Sequence, residues 1–481
     1  MPRAAFHFGL STLVLGSLLV PALACHREPA AVPLEEDRGS DVGVADAAPD
    51  PAELDDRADS LARTQREAEV DATARRITEE VALVRGLTVT GAFAVELIDK
   101  AGVREFVREA MYEELSRAEI QLLGRIEASL GVLPLGTDGE QVLLDLYELG
   151  VLGIYDPKRK TLLIGDYIGT TELGRVIGHE GAHGLQDMHF DLLNLAKVNK
   201  GHSDLDTAKT FLIEGDAEAA YLAWMSGSEG LAAIGDDLLE LQADMVLAID
   251  ESMIPNPTLT RMLQMPYTEG TASMVRLARE QGFAAIDALY ADVPTTSEQM
   301  LHHDKLAKRE PALPVRVDPA ALLGLVPDHR VVWEDDIGEA GLLAMLAEVE
   351  RPWIARKSAA GWGGDRYIAL DRETNPAAAP LLVGVIAWDS EADAKEFEPS
   401  FRAYLDEHMP GDFLIQRRGR EILYATQFAA ALADRADAAA LSKAGWASFS
   451  VGKPSKPAKP KSVKPAKPES SKSAKPAPSK P

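Results

Sequence analysis

The chain has little that would cross-link it, hold it to nucleic acid or carry it repeatedly through a membrane. One cysteine, Cys25, occurs in 481 residues, so no internal disulfide closes a loop and the fold must be held by its core. Positive charge is scarce: 50 Lys and Arg stand against 76 Asp and Glu, a net charge of −26. The shortage is uneven. Residues 453–481 hold nine lysines and one glutamate, a local +8, so the remainder carries −34. So acidic a body argues against nucleic acid as a partner, because phosphate binding needs clustered Lys and Arg. After the first 24 residues no apolar run approaches the roughly 18 residues of a membrane-spanning helix. The apolar content of 46% is ordinary for a globular protein.

The first residues are different. Arg3 precedes an apolar run that closes on Ala22-Leu23-Ala24-Cys25. A charged start, an apolar segment and small residues at the cut describe a signal peptide over 1–24. A cysteine at the cleavage point resembles a bacterial lipobox, which implies lipidation of Cys25 and anchoring in the cell envelope. Ala22 stands where that box usually has Leu, so simple secretion after Ala24 is the alternative. Residues 25–55, rich in Ala, Pro, Asp and Glu, have the composition of a disordered tether, and the Lys-Pro-Ala repeats of 453–481 that of a disordered tail.

Between these ends, 51–85 favours helix by composition. Val89, Phe93 and Val95 suggest a short strand, and 102–130 carries apolar residues at helical spacing. Val151–Gly165 reads as a hairpin with a polar turn at Asp156-Pro157-Lys158. Pro311, Pro314 and Pro319 mark a boundary. Beyond it, 325–452 reads β-β-α-β-β-α, a small α+β unit in which Trp362, Asp365, Arg366 and Trp388 are turn and core residues or line a binding surface.

The chemistry concentrates in His179-Glu180-Gly181-Ala182-His183. On a helix, residues four apart lie about 400° apart in rotation and share a face. Two imidazoles so placed can grip one metal ion, and Glu180 projects beside it, where a general base for a metal-activated water belongs. Thr170 or Thr171 is the expected N-cap of this helix. Gly174, Gly178, Gly181 and Gly184 each cost about 1 kcal/mol relative to Ala in a helix interior, so packing or a metal must hold it. Two residues compete as third ligand. His189 has the metzincin spacing, but Gln186 stands where that turn needs glycine, so a continuing helix points His189 away. Glu214, on a second helix over 204–224 capped by Ser203 or Asp204, sits among apolar residues where a lone charge is costly. Glu218, one turn on, can accept the outer N–H of a ligand histidine, a role that Asp216 or Asp187 can also fill.

This pattern resembles the gluzincins, the thermolysin-like zinc peptidases, whose downstream helix carries Glu-x-x-x-Asp. It is also similar to a group of uncharacterised bacterial proteins assigned as metallopeptidases. The shared stretches include Gly153-Ile154-Tyr155-Asp156, Leu185-Gln186-Asp187, Glu214-Gly215-Asp216-Ala217, Pro266-Tyr267 and Ser297-Glu298-Gln299 with His302. That group's helix usually reads His-Glu-Leu-Thr-His-Ala, where this chain has Gly181-Ala182 and Gly184. The resemblance implies one Zn2+ held by His179, His183 and Glu214, Glu180 as base, and His302 or Tyr267 as oxyanion donor. It also implies a hairpin edge that pairs with extended peptide substrate. The expected architecture is α+β: a mainly helical zincin-like domain with a small sheet over 56–310, then the smaller α+β domain. The expected function is peptide-bond hydrolysis in the envelope. The rivals are a non-catalytic binding or assembly protein of the same fold, and an amidase acting on a cell-wall peptide.

Overall fold

The computed structural model describes residues 51–453 apart from 251, 253, 373–377 and 433–436. The expected signal peptide, Cys25 with the tether up to residue 50, and the Lys/Pro tail beyond 453 lie outside these residues. The architecture is α+β, helical in its N-terminal part and sheet-rich in its C-terminal part. No helix among the described residues is long and apolar enough to cross a membrane.

The N-terminal part begins with α1 (Pro51–Arg85), β1 (Ala94–Ile98), α2 (Lys100–Glu114), α3 (Arg117–Leu130) and α4 (Gly139–Gly150). The hairpin β2 (Gly153–Asp156) and β3 (Thr161–Gly165) follows, then α5 (Thr170–Phe190), α6 (Leu192–Leu195) and α7 (Ser203–Met225). Next come α8 (Asp236–Leu247), α9 (Pro257–Met265), a π-helical turn at Pro266–Gly270, α10 (Thr271–Gln281), α11 (Phe283–Ala291), α12 (Ser297–Leu301) and α13 (His303–Lys308). β1 runs parallel to β3, and β2 pairs antiparallel with β3 on the other side. β3 is therefore central, and β1 and β2 are the two sheet edges.

Local chemistry moves several expected boundaries. The helical stretch 102–130 is two helices, because Ser116 forms a capping box with Glu119 and restarts the chain after Leu115. The strand begins at Ala94, one residue after Phe93. The N-cap of α5 is Gly169, in extended backbone and without a side-chain bond, so neither Thr170 nor Thr171 caps it. α7 starts from His202, and its first N–H groups are satisfied from elsewhere in the chain. Ser203 N–H donates to Asp335 at 2.9 Å and Asp204 N–H to Asp336 at 2.8 Å. Ser203 and Asp204 thus receive a cap, and Asp204 in turn accepts from the Ser297 N–H that opens α12, at 3.0 Å.

Two glycines of α5, Gly178 and Gly181, are points of close approach. A Cβ on Gly178 would lie 2.8 Å from the Tyr221 ring, and one on Gly181 would lie 2.5 Å from Thr78 Oγ1. α5 can therefore approach α7 on one side and α1 on another more closely than any side chain allows. Val176, Ile177, Ala182 and Leu185 of α5 bury against Val70, Ala74, Ile77 and Val81 of α1 and against Tyr155, Leu162 and Ile164 of the sheet.

The C-terminal part contains β4 (Val315–Val317), α14 (Ala320–Leu325), β5 (His329–Asp335), α15 (Gly338–Leu346), α16 (Pro352–Ala359), β6 (Trp362–Arg372) and β7 (Leu381–Trp388). It closes with α17 (Glu391–His408), β8 (Phe413–Arg418), β9 (Glu421–Thr426), α18 (Phe428–Leu432), α19 (Ala438–Ser448) and β10 (Phe449–Val451). Five strands form an antiparallel sheet in the order β5-β6-β7-β9-β8. β7 is buried on both faces, which explains its unbroken apolar sequence. Leu381, Val383 and Val385 pack on one side with Leu322, Leu432 and Leu441. Leu382, Ile386 and Trp388 face the other way, into the same core as Val107, Leu123, Phe211 and Met274 of the helical part.

The two parts thus share one core across the proline-marked boundary. Arg125 pairs with Asp371 at 3.0 Å, Thr426 Oγ1 donates to Ser129 O at 2.7 Å, and Arg356 pairs with Glu269 at 2.5 Å. A chain ended at residue 325 loses one wall of that core. It is expected to lose cooperative thermal unfolding by circular dichroism; a truncated chain that melts like the full one would refute the shared core.

Candidate metal centre

His179 and His183 project from one face of α5 toward α7. His179 meets Glu218 while His183 meets Glu214, so the two helices run antiparallel past each other. His179 Nε2 lies 3.2 Å and His183 Nε2 3.3 Å from Glu214 Oε2, and the two Nε2 atoms are 3.1 Å apart. Among the described residues this is the single cluster of His, Cys, Asp and Glu whose ligand atoms all lie within 4.8 Å of one another. A small tetrahedral cation with bonds of about 2.0–2.1 Å sets its ligands about 3.3–3.4 Å apart. The triangle is therefore close to what such an ion needs.

The outer ring atoms show how a cation would be held there. His179 Nδ1 is 3.0 Å from Glu218 Oε2, and His183 Nδ1 is 2.8 Å from Gln186 Oε1. Both outer nitrogens meet acceptors, so both carry the proton. Both Nε2 atoms then aim lone pairs at each other and at a carboxylate, an arrangement that demands positive charge at its centre. The electrostatics of the cluster agree. Burial pulls His179 down, but Glu214 and Glu218, with the Glu180 charge behind them, outweigh it and raise its pKa to about 10. Burial pushes Glu214 up, but the two histidines outweigh it and hold its pKa at about 2.

A bound metal displaces the His179 proton, which fixes the sign of a pH effect. Below pH 10 the metal competes with that proton, so affinity is expected to fall about tenfold per unit from pH 9 to pH 6. The metal-free protein is expected to show the reverse. A histidine raised in the folded state stabilises fully below the unfolded value of about 6.5 and loses that contribution as pH climbs to about 10. Calorimetry with saturating metal and with chelator checks both. Metal should raise the melting temperature more at pH 8 than at pH 6.

The other expected residues separate. Glu180 is buried beside the triangle, and its Oε2 accepts the Tyr155 N–H of β2 at 2.8 Å. Tyr267, on the π-helical turn, brings its ring to 5.8 Å from that of His179. Burial, the charges of Glu214 and Glu180 and a hydrogen bond to Glu214 keep its hydroxyl protonated well above the usual range. His302 is not brought to the cluster: its Nε2 is 2.7 Å from Glu339 of α15. Asp187 also points elsewhere, accepting from Tyr155 OH at 2.8 Å and pairing with Lys160 at 2.5 Å. His189 contacts Thr88 O at 2.8 Å, as a helix continuing past Gln186 requires. β2 is one of the two sheet edges, but all four of its residues are buried and the Tyr155 N–H is taken. The open edge expected for substrate pairing is absent from β2.

Two side chains at the centre escaped the sequence reading. In the sequence Gln186 stands out as a missing glycine and as part of the shared Leu185-Gln186-Asp187, with no role assigned, although its i+3 spacing from His183 places it on the same face. Tyr147 of α4 is buried with Glu214 as its charged neighbour, and both effects raise its pKa. Nothing in its local sequence signals this.

Residues 329–454 match a family described as Domain of unknown function (DUF8575). The matched segment covers the five-stranded sheet and none of the residues of the metal centre. No curated protein and no solved structure matches the chain.

Proposed function

We propose that this chain is a zinc-dependent hydrolase of peptide bonds, with His179, His183 and Glu214 as the residues that hold the ion. One observation carries the reading: two imidazole lone pairs and a carboxylate converge on a point with a second carboxylate, Glu180, alongside. Zinc in such a donor set lowers the pKa of water toward about 7 and polarises a carbonyl. The protein supplies the rest. Glu180 takes the proton of the attacking water and returns it to the leaving amine. Tyr267, kept protonated, donates to the oxyanion that develops on the carbonyl. Glu218 and Gln186 keep both ligand rings in one tautomer. The proposed place of action, the cell envelope, rests on the first 25 residues alone.

A second reading is favoured by burial. His179, Glu180 and His183 are 0% exposed. Glu180 also has a structural partner in Tyr155. These facts suit a zinc site that stabilises a binding or assembly protein. An unbiased peptide library, incubated with the full chain with and without chelator, decides between the two. Cleavage that chelator abolishes supports hydrolysis; a metal-loaded protein that cleaves nothing supports the second reading.

A further inference from the structure

The geometry points to Gln186 as a positioning residue that presets His183 to offer Nε2 to a metal, with Asp216 fixing the direction of the Gln186 amide. The inference rests on the metal-site part of the reading above and extends it to residues outside the ligand set.

An amide side chain presents an acceptor at one end and a donor at the other, and only its surroundings decide which is which. Here they decide fully. The amide is 1% exposed. Its Nε2 lies 2.9 Å from Ile213 O and 3.0 Å from Asp216 Oδ2, two acceptors. Flipping the amide would set oxygen against both, leaving buried polar groups unpaired at about 1–3 kcal/mol each. Oε1 must therefore face His183 Nδ1, 2.8 Å away. An oxygen there accepts, so Nδ1 carries the proton and Nε2 carries the lone pair.

Asp216 cannot turn away from this role. Arg85, the last residue of α1, donates to its Oδ1 at 2.7 Å and to its Oδ2 at 3.2 Å. Tyr290 OH donates to Oδ2 at 2.9 Å. Arg85 is itself held by Asp287 at 2.7 Å and lies over the Phe283 ring. A guanidinium does not lose its proton, so Asp216 stays an acceptor, Gln186 donates to it, and Gln186 Oε1 is left to accept from His183. This gives a physical role to the second acid of Glu214-Gly215-Asp216: it orients the amide behind the second histidine while Glu214 faces both rings.

The test uses the full chain with 15N-labelled histidine, read first without metal. In the wild type, His183 should show the proton on Nδ1. In Gln186→Leu, which has similar size and no acceptor, the Nε2–H form should appear, and Co2+ affinity by chelator competition should fall 10–100-fold. A purely space-filling role would leave the tautomer unchanged, because leucine fills the same volume as the amide. If Gln186→Leu does not fold, Asp216→Asn frees the amide and should shift the tautomer in the same direction. Unchanged tautomer and affinity in Gln186→Leu or Asp216→Asn overturns the proposal, as does a loss of affinity in Gln186→Leu with the proton still on Nδ1. Failure of the peptidase reading looks different: wild type that binds Co2+ with the stated tautomer yet cleaves no peptide.

Discussion

Glu180→Gln is expected to leave metal content unchanged and to cut peptide hydrolysis by roughly 10²–10⁴-fold. The expectation follows from what the side chain does in each state. Glutamine has the same shape, and its Oε1 can still accept the Tyr155 N–H that Glu180 accepts at 2.8 Å. The strand β2, the helix α5 and the three ligand atoms therefore keep their places. What the amide cannot do is take a proton from water and pass it on. Metal analysis and the peptide-cleavage rate, measured on the same preparation, separate the two contributions. Wild-type turnover in Glu180→Gln would end the proposed mechanism.

Gly215→Ala is expected to destabilise the protein by about 1–3 kcal/mol or more, and to cost activity in whatever fraction still folds. Its Cβ would fall 2.4 Å from the carbonyl carbon and oxygen of Gly270, which are backbone and cannot swing aside. From the other side, a Cβ on Gly270 would fall 2.6 Å from Phe211 O. Helix α7 and the π-helical turn thus meet backbone to backbone. Separating them moves Tyr267, three residues before Gly270, away from Glu214, the neighbour of Gly215. Gly174→Ala is the control of opposite sign. Its nearest new neighbour is Trp224 at 4.0 Å, an ordinary contact. There the helix-propensity gain of up to about 1 kcal/mol stands alone, so the melting temperature should rise. Thermal melts of the two variants side by side check both. A stabilised Gly215→Ala would refute the close approach.

The same contrast shows why four glycines in the motif helix could be counted in the sequence but not interpreted. Their cost is local and readable. Their benefit depends on which element lies opposite. Gly178 and Gly181 sit against Tyr221 and Thr78, from elements 43 and 103 residues apart along the chain from those glycines, respectively. A similar limit applied to the caps. Thr170, Thr171, Ser203 and Asp204 are all good capping types, yet Gly169 opens one helix, and Asp335 and Asp336 satisfy the other. Capping by a distant segment leaves no mark in the local sequence.

What the sequence by itself determined is set by short-range periodicity and by the cost of burying charge. Four-residue spacing put His179 and His183 on one helical face, Gln186 sent His189 away, and the apolar setting of Glu214 singled it out as a paired acid. Apolar patterning and turn residues marked the hairpin and four of the five strands of the antiparallel sheet, all but β5, so the α+β class was legible. The tertiary structure decided everything that depends on which distant surfaces meet. It turned His302 toward Glu339 and Asp187 toward Tyr155 and Lys160. It buried the β2 edge and made the C-terminal sheet part of the same core as the helices. It also brought Gln186, Asp216 and Arg85 together behind His183. The physical reason is range: backbone geometry repeats every few residues, whereas a buried polar group takes whichever partner the completed packing brings within about 3 Å.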